Sequence, residues 1–121
     1  MMYIIFLKDN NISLVWSVRD ELEPPSIITS DQVYIRFIGD RSIPEMDFGK
    51  IVKNRRNEML EYVKHVRDVQ NESSNIRDVL IAFNNHFAGF GPQSVYDFLK
   101  LMNMSEIYWK IKLERYENNS G

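Results

Sequence analysis

The sequence predicts an α/β fold assembled from parallel βα units, and three observations predict it. Ile12 to Ser17, Val33 to Gly39 and Val79 to Asn85 are short runs rich in β-branched and aromatic residues, bounded by turn formers. Their apolar positions are nearly continuous rather than alternating, as when both faces of a parallel sheet are covered. A long amphipathic helical pattern joins the second run to the third, and a strand, helical crossover and strand make a right-handed βαβ unit.

Taken in chain order, Tyr3 to Leu7 followed by Lys8-Asp9-Asn10-Asn11 fits either the end of a helix or the first arm of a hairpin. Ile12 to Ser17 is the first strand. Val18 to Gln32 contains Pro24-Pro25, which cannot continue a helix and bias Glu23 toward extended geometry, so this connection reads as an irregular loop. After the strand Val33 to Gly39, the helical pattern begins at Phe48, Ile51 and Val52. It continues through Met59, Tyr62, Val63, Val66 and Val69 at spacings of three and four, with Lys53, Arg56, Glu58, Lys64 and Arg67 on the other side. The polar run Asn71 to Asn75 ends it. The third strand, Val79 to Asn85, leads through His86 to Gln93 into a second helix whose apolar face is Val95, Phe98, Leu99 and Met102. Ile107, Trp109, Ile111 and Leu113 alternate like a strand, whereas Ser105-Glu106 resembles a helix start, and both readings stay open. Glu117 to Gly121 should fray.

The length of 121 residues is that of a single domain, with 44% hydrophobic, 26% charged and 12% aromatic residues. A net charge of -2 removes the electrostatic argument for a nucleic-acid partner, which needs a basic surface. The absence of cysteine excludes a disulfide framework, thiolate metal sites and a cysteine nucleophile, and fits a reducing compartment. The longest apolar run, Met1 to Leu7, is far short of the ~20 residues that span a bilayer and lacks the flanks of a signal peptide. No membrane partner is expected, and the cytoplasm is the expected location. The Asn-x-Ser triplets at Asn11, Asn71, Asn103 and Asn118 would matter only in a secreted chain.

Three longer motifs are more specific. Ser30 to Arg41 (SDQVYIRFIGDR), Asp47 to Ile51 (DFGKI) and Phe83 to Ser94 (FNNHFAGFGPQS), preceded by Ile12 to Ser17 and Pro24-Pro25, resemble the C-terminal half of the YecE-like family, domain of unknown function seventy-two. The resemblance runs from about Leu7 to about Trp109. It implies a TIM-barrel fold with no established activity. A (β/α)8 barrel typically needs ~250 residues, so the resemblance implies a single truncated or split domain over 1–121, an incomplete barrel. Within it, 1–11 is a candidate rearrangement, for example an added edge strand, and 105–121 a C-terminal tail. An incomplete barrel exposes strand edges and an apolar inner face, so a homo-oligomer or a separately encoded N-terminal half is the expected partner.

In barrels and parallel sheets, ligands bind beyond the carboxyl ends of the strands, here Trp16 and Ser17, Arg36 to Arg41, and Asn84 to His86. Arg36 is the most informative. A guanidinium inside an apolar strand is costly unless it is paired or faces a polar cavity. Alternation puts Tyr34, Arg36 and Ile38 on one face and Val33, Ile35 and Phe37 on the other. Arg36 is then a clamp for a phosphate or carboxylate, part of an internal salt bridge with an acid such as Asp40, or a side chain pointing outward to a helix. Of Asn84 and Asn85, which project to opposite faces, one at most lines the mouth while the other ties down the next loop. Gly89 and Gly91 permit close approach to a ligand, and Pro92 suits the first turn of a helix whose free N–H groups would favour an anion; a tight strand-to-helix turn explains them equally.

His86 can act as an acid or base, or simply pack against its aromatic neighbours. Asp40, Glu45 and Asp47 cluster in the loop after the second strand, where Asp40 with His86 offers a hydrolytic pair and a solvated loop offers the plainer account. Glu61 and His65, four apart on a helix, read as an exposed pair because no second histidine completes a metal-binding face. Gly49-Lys50 lacks the rest of a P-loop, and Ser17 has no recognisable triad partners. No cofactor and no metal are expected. The sequence therefore supports a site for an anionic or polar small molecule at the strand ends, a non-catalytic half-barrel assembling with itself or its complement, or a hydrolase.

Overall fold

The computed structural model describes residues 2–20, 23–72 and 75–104. The elements are α1 (Met2–Asp9), β1 (Val15–Val18), β2 (Gln32–Phe37), a 3-10 turn (Glu45–Asp47), α2 (Arg56–Glu72), β3 (Asp78–Phe83), α3 (Asn85–Ala88) and α4 (Gly91–Leu101). The fold is mixed α/β with a three-stranded sheet of order β1-β2-β3. Both pairings are parallel, with Val15, Tyr34 and Leu80 in one row and Ser17, Arg36 and Ala82 in the next.

The central strand shows why. Val33, Ile35 and Phe37 alternate with Tyr34 and Arg36, and the first set is buried. They join Trp16 and Val18 from β1 beneath Met59, Tyr62, Val63, Val66 and Val69 of α2, with Phe87 and Phe98 closing the core. Those five α2 residues are the apolar stripe at spacings of three and four that the sequence displays. Phe37 lies at the centre, its ring stacked on Phe83 at 4.5 Å and near Phe87 at 5.0 Å and Tyr62 at 5.2 Å. A side chain of this size contributes about 1.5–3 kcal/mol on burial.

Several boundaries differ from expectation: the second and third strands end at Phe37 and Phe83, and Asn85 already belongs to α3. The first strand begins at Val15 rather than Ile12, because the buried Thr29 hydroxyl donates to the Ile12 carbonyl (2.6 Å) and accepts from Leu14 N–H (2.8 Å). A loop side chain thus replaces a ladder partner over Ile12 to Leu14. The long helix begins at Arg56 rather than Phe48, since Gly49 N–H donates to the Gly89 carbonyl, and Val52 and Lys53 N–H both donate to the Ala88 carbonyl. Those donors are committed to the β3–α4 connection, and Asn54 Oδ1 accepts from Arg56 N–H where the helix starts. The N-terminal segment is a helix, not an added edge strand. No residue of α1 is buried. The connection from Asp20 to Asp31 carries no helix or strand among its described residues, in keeping with Pro24-Pro25. The alternating segment from Ile107 to Leu113, and the rest of 105–121, lie outside the described residues. Among the described residues, no helix is long and apolar enough to cross a membrane.

Candidate functional site

Among the described residues, the helices cover one face of the sheet and leave the other open. On the open face Val15 is 40% and Leu80 48% exposed, and Arg36, in the row between Leu80 and Asn84, is exposed as well. Arg36, with five N–H donors, has no hydrogen bond or ion pair among the described residues. Beside it lies a cleft of about 200 Å³ at the carboxyl ends of β2 and β3, lined by Tyr34, Arg36, Ile38, Ala82 and Asn84. Tyr34, Arg36 and Ile38 share this face through strand alternation, as the sequence indicates.

The asparagines divide their work. Asn84 lines the cleft, and its Oδ1 also accepts from His86 N–H at 3.4 Å, capping α3. Its amide nitrogen makes no hydrogen bond among the described residues. Asn85 turns the other way, and its Oδ1 accepts from Gly91 N–H at 2.7 Å, tying α3 to the start of α4.

Several expected site residues sit elsewhere. Trp16 is 1% exposed in the core, and its Nε1–H donates to the Ile27 carbonyl, so it anchors the β1–β2 loop instead of meeting a ligand. The glycines face protein backbone. A Cβ on Gly89, whose φ is +120°, would lie 2.2 Å from the Lys50 carbonyl, and one on Gly91 would lie 2.8 Å from the Phe83 carbonyl. With Gly91 N–H already bonded to Asn85, the turn is the tight strand-to-helix connection and offers no anion cradle.

Asp40 does not pair with Arg36. Its Oδ1 accepts from the hydroxyl of Ser42 (2.6 Å), the N–H of Ser42 (3.0 Å) and Lys53 Nζ (3.1 Å). The Ser42 bonds first, then Lys53, hold its carboxyl well below the usual aspartate range. Such a carboxylate stays ionised at neutral pH and carries no proton, and none of its hydrogen bonds reaches His86. His86 packs edge-on against Phe48 at 5.0 Å, with Nδ1 buried and unpartnered. The arrangement assembles no hydrolytic pair from these two.

Arg55 carries a role that its place in the sequence does not signal. Its guanidinium is buried, donating to the Phe87 carbonyl (2.6 Å), to both oxygens of Glu58 and to Asp20 (3.1 Å), over the Phe87 ring. Burial alone would lower its pKa, and the carboxylates of Asp20 and Glu58 outweigh that and raise it. Within Lys53-Asn54-Arg55-Arg56-Asn57 nothing marks one cation as buried, because its partners come from the β1–β2 connection, α3 and α2.

The family model described as protein of unknown function DUF72 matches residues 2–115. A solved structure of a DUF72 family protein from Thermotoga maritima superposes with a TM-score of 0.59 at 19% identity, covering 86% of this chain. The chain spans 40% of the length of that protein. No curated protein matches.

Proposed function

Because the chain belongs to the DUF72 family of proteins of unknown function, we propose its role from the geometry: the open sheet face binds an anionic small molecule at the carboxyl ends of β2 and β3. Arg36 is the clamp, its planar fork matching a phosphate or carboxylate, and the Asn84 amide orients the ligand. The single observation that supports this reading is a guanidinium at the edge of a cleft that, among the described residues, has no partner and stands on a sheet face no helix covers. Titration calorimetry of the chain with inorganic phosphate, sulfate and a sugar phosphate is the test. Saturable binding weakened at least about tenfold in Arg36→Ala supports the site, on the scale of a lost charge-assisted hydrogen bond. Binding unchanged by that substitution, or no binding at millimolar anion, overturns it.

A second reading rests on a different observation. Val15 and Leu80, 40% and 48% exposed in one row across the open face, form an apolar strip flanked by the outer edges of β1 and β3. Here the face is covered by a second copy of the chain or by a separately encoded complement, and the protein acts in assembly rather than in ligand binding. A well-folded monomer by light scattering on a sizing column, with no dimer at high concentration, argues against self-association. The cytoplasm is the location that goes with either reading in our proposal, and a chain without cysteine suits a reducing compartment.

A further inference from the structure

On the helix-covered side of the sheet, Glu61 and His65 lie one turn apart on α2, with His65 Nε2 4.0 Å from Glu61 Oε1. An i, i+4 pair presents two donors on one helical face, the spacing that zinc-binding helices use. By itself the pair has two ligands, too few to hold a cation. The fold supplies a third. Glu23, from the loop after β1, brings a carboxylate oxygen into the same place, so that one donor atom from each of Glu23, Glu61 and His65 lies within 4.8 Å of the others.

Three features distinguish this trio from scattered surface charge. Pro24 biases the Glu23 backbone toward extended geometry, which narrows the directions its side chain can take. The His65 ring is held against Tyr62 at 5.1 Å, which limits its orientation. Neither glutamate has a Lys or Arg within ion-pair distance among the described residues, although Arg55 and Lys53 nearby are bound to Asp20, Asp40 and Glu58. The negative field is felt next door: burial first, then the charges of Glu23 and Glu61, push the Tyr62 hydroxyl up to about 12.

We propose that Glu23, Glu61 and His65 form a binding site for a zinc-type divalent cation that fastens the β1–β2 loop to α2. A mixed set of imidazole and carboxylate donors suits zinc, whereas magnesium prefers oxygen ligands and water. Zinc–ligand bonds of about 2.0–2.2 Å put neighbouring donors about 3–3.5 Å apart, so rotamer adjustments of roughly 1 Å bring the three onto one ion. Three protein ligands leave a coordination position open. The adjoining cleft of about 440 Å³, lined by Arg19, Asp20, Glu58 and Tyr62 among others, gives that position access to water or a small ligand.

The test is zinc titration of the whole chain by calorimetry, with magnesium in parallel, and ¹⁵N NMR of the imidazoles. His65 and His86 are the chain's histidines, so the two ring signals separate this site from any other imidazole site. The expected result is one zinc per chain, a shift of the His65 Nε2 signal alone, and affinity reduced more than about tenfold in each of Glu23→Gln, Glu61→Gln and His65→Ala. Circular dichroism establishes that each variant is folded. No saturable binding at millimolar zinc, binding that survives His65→Ala, or binding indifferent to Glu23→Gln overturns the proposal. Equal affinity for magnesium overturns the assignment to a zinc-type ion.

Discussion

Phe37 and Arg36 are neighbours on β2 with opposite environments, and replacing each by alanine separates the two faces of the sheet. Phe37 is 0% exposed, and its ring meets Phe83, Phe87, Tyr62 and Phe98 at centroid distances of 4.5, 5.0, 5.2 and 5.8 Å. Phe37→Ala removes the ring and leaves a cavity bounded by four aromatic side chains from α2, β3, α3 and α4, which cannot collapse together. The expected loss is about 4 kcal/mol, the upper half of the range for a buried Phe. For a chain of this size, with an unfolding entropy of roughly 0.25 kcal/mol per degree, the thermal midpoint falls by about 15 °C. Arg36→Ala, on the exposed face with no partner among the described residues, should change stability by less than about 0.5 kcal/mol. Urea unfolding followed by circular dichroism measures both. Should Phe37→Ala not fold, Phe37→Leu, which keeps most of the volume, should cost about 1–1.5 kcal/mol. Equal losses for positions 36 and 37, or a Phe37→Ala loss below about 1.5 kcal/mol, would refute the assignment of faces.

Further outcomes follow from the same geometry. Gly89→Ala should destabilise by about 2 kcal/mol or more, since the new Cβ meets the Lys50 carbonyl as well as a disfavoured φ. Gly49→Ala, at φ +107° with nothing within 4 Å, meets the backbone term alone and should cost about 1 kcal/mol; thermal melts rank the two. Arg55→Ala leaves Asp20 without its buried partner and should cost about 3 kcal/mol, and Arg55→Lys should recover only part, because an ammonium cannot reach Asp20, Glu58 and the Phe87 carbonyl as a fork. For Asp40 the folded-state pKa lies below its ordinary 3.8. The stability it contributes is therefore complete above that value and is lost as pH falls toward the folded pKa. Asp40→Asn should be less stable than wild type at pH ~7 and lose less between pH ~5 and ~2, read from urea midpoints across that range.

How much of this was legible in the residues differs from element to element. The stripe Met59, Tyr62, Val63, Val66 and Val69 is buried as its spacing indicates, because helical periodicity is a local property and one face must find the sheet. The start of the same helix was misplaced by eight residues, from Phe48 to Arg56. Ile51 and Val52 continue the periodic pattern, but the donors on Gly49, Val52 and Lys53 serve carbonyls of Ala88 and Gly89, which no local pattern reveals. The face of Arg36 was legible because strand alternation puts it with Tyr34, whereas which of Asn84 and Asn85 lines the cleft was not, because both lie beyond the end of β3. Trp16 was not, since a tryptophan at a strand end reads the same whether it meets a ligand or a loop carbonyl.

The sequence by itself determined the α/β class, the three strands, the buried faces of the helices and the family, because these follow from periodicity, turn chemistry and extended motifs. Tertiary structure decided the charge partnerships. Asp40 went to Ser42 and Lys53, Arg55 gathered Asp20, Glu58 and the Phe87 carbonyl, and Glu23 met Glu61 and His65, while Arg36 kept none among the described residues. A charged side chain gains its stabilisation from groups within a few ångströms, and those arrive from distant segments of the chain. Residue type states which charges exist, and only the folded chain states which of them meet.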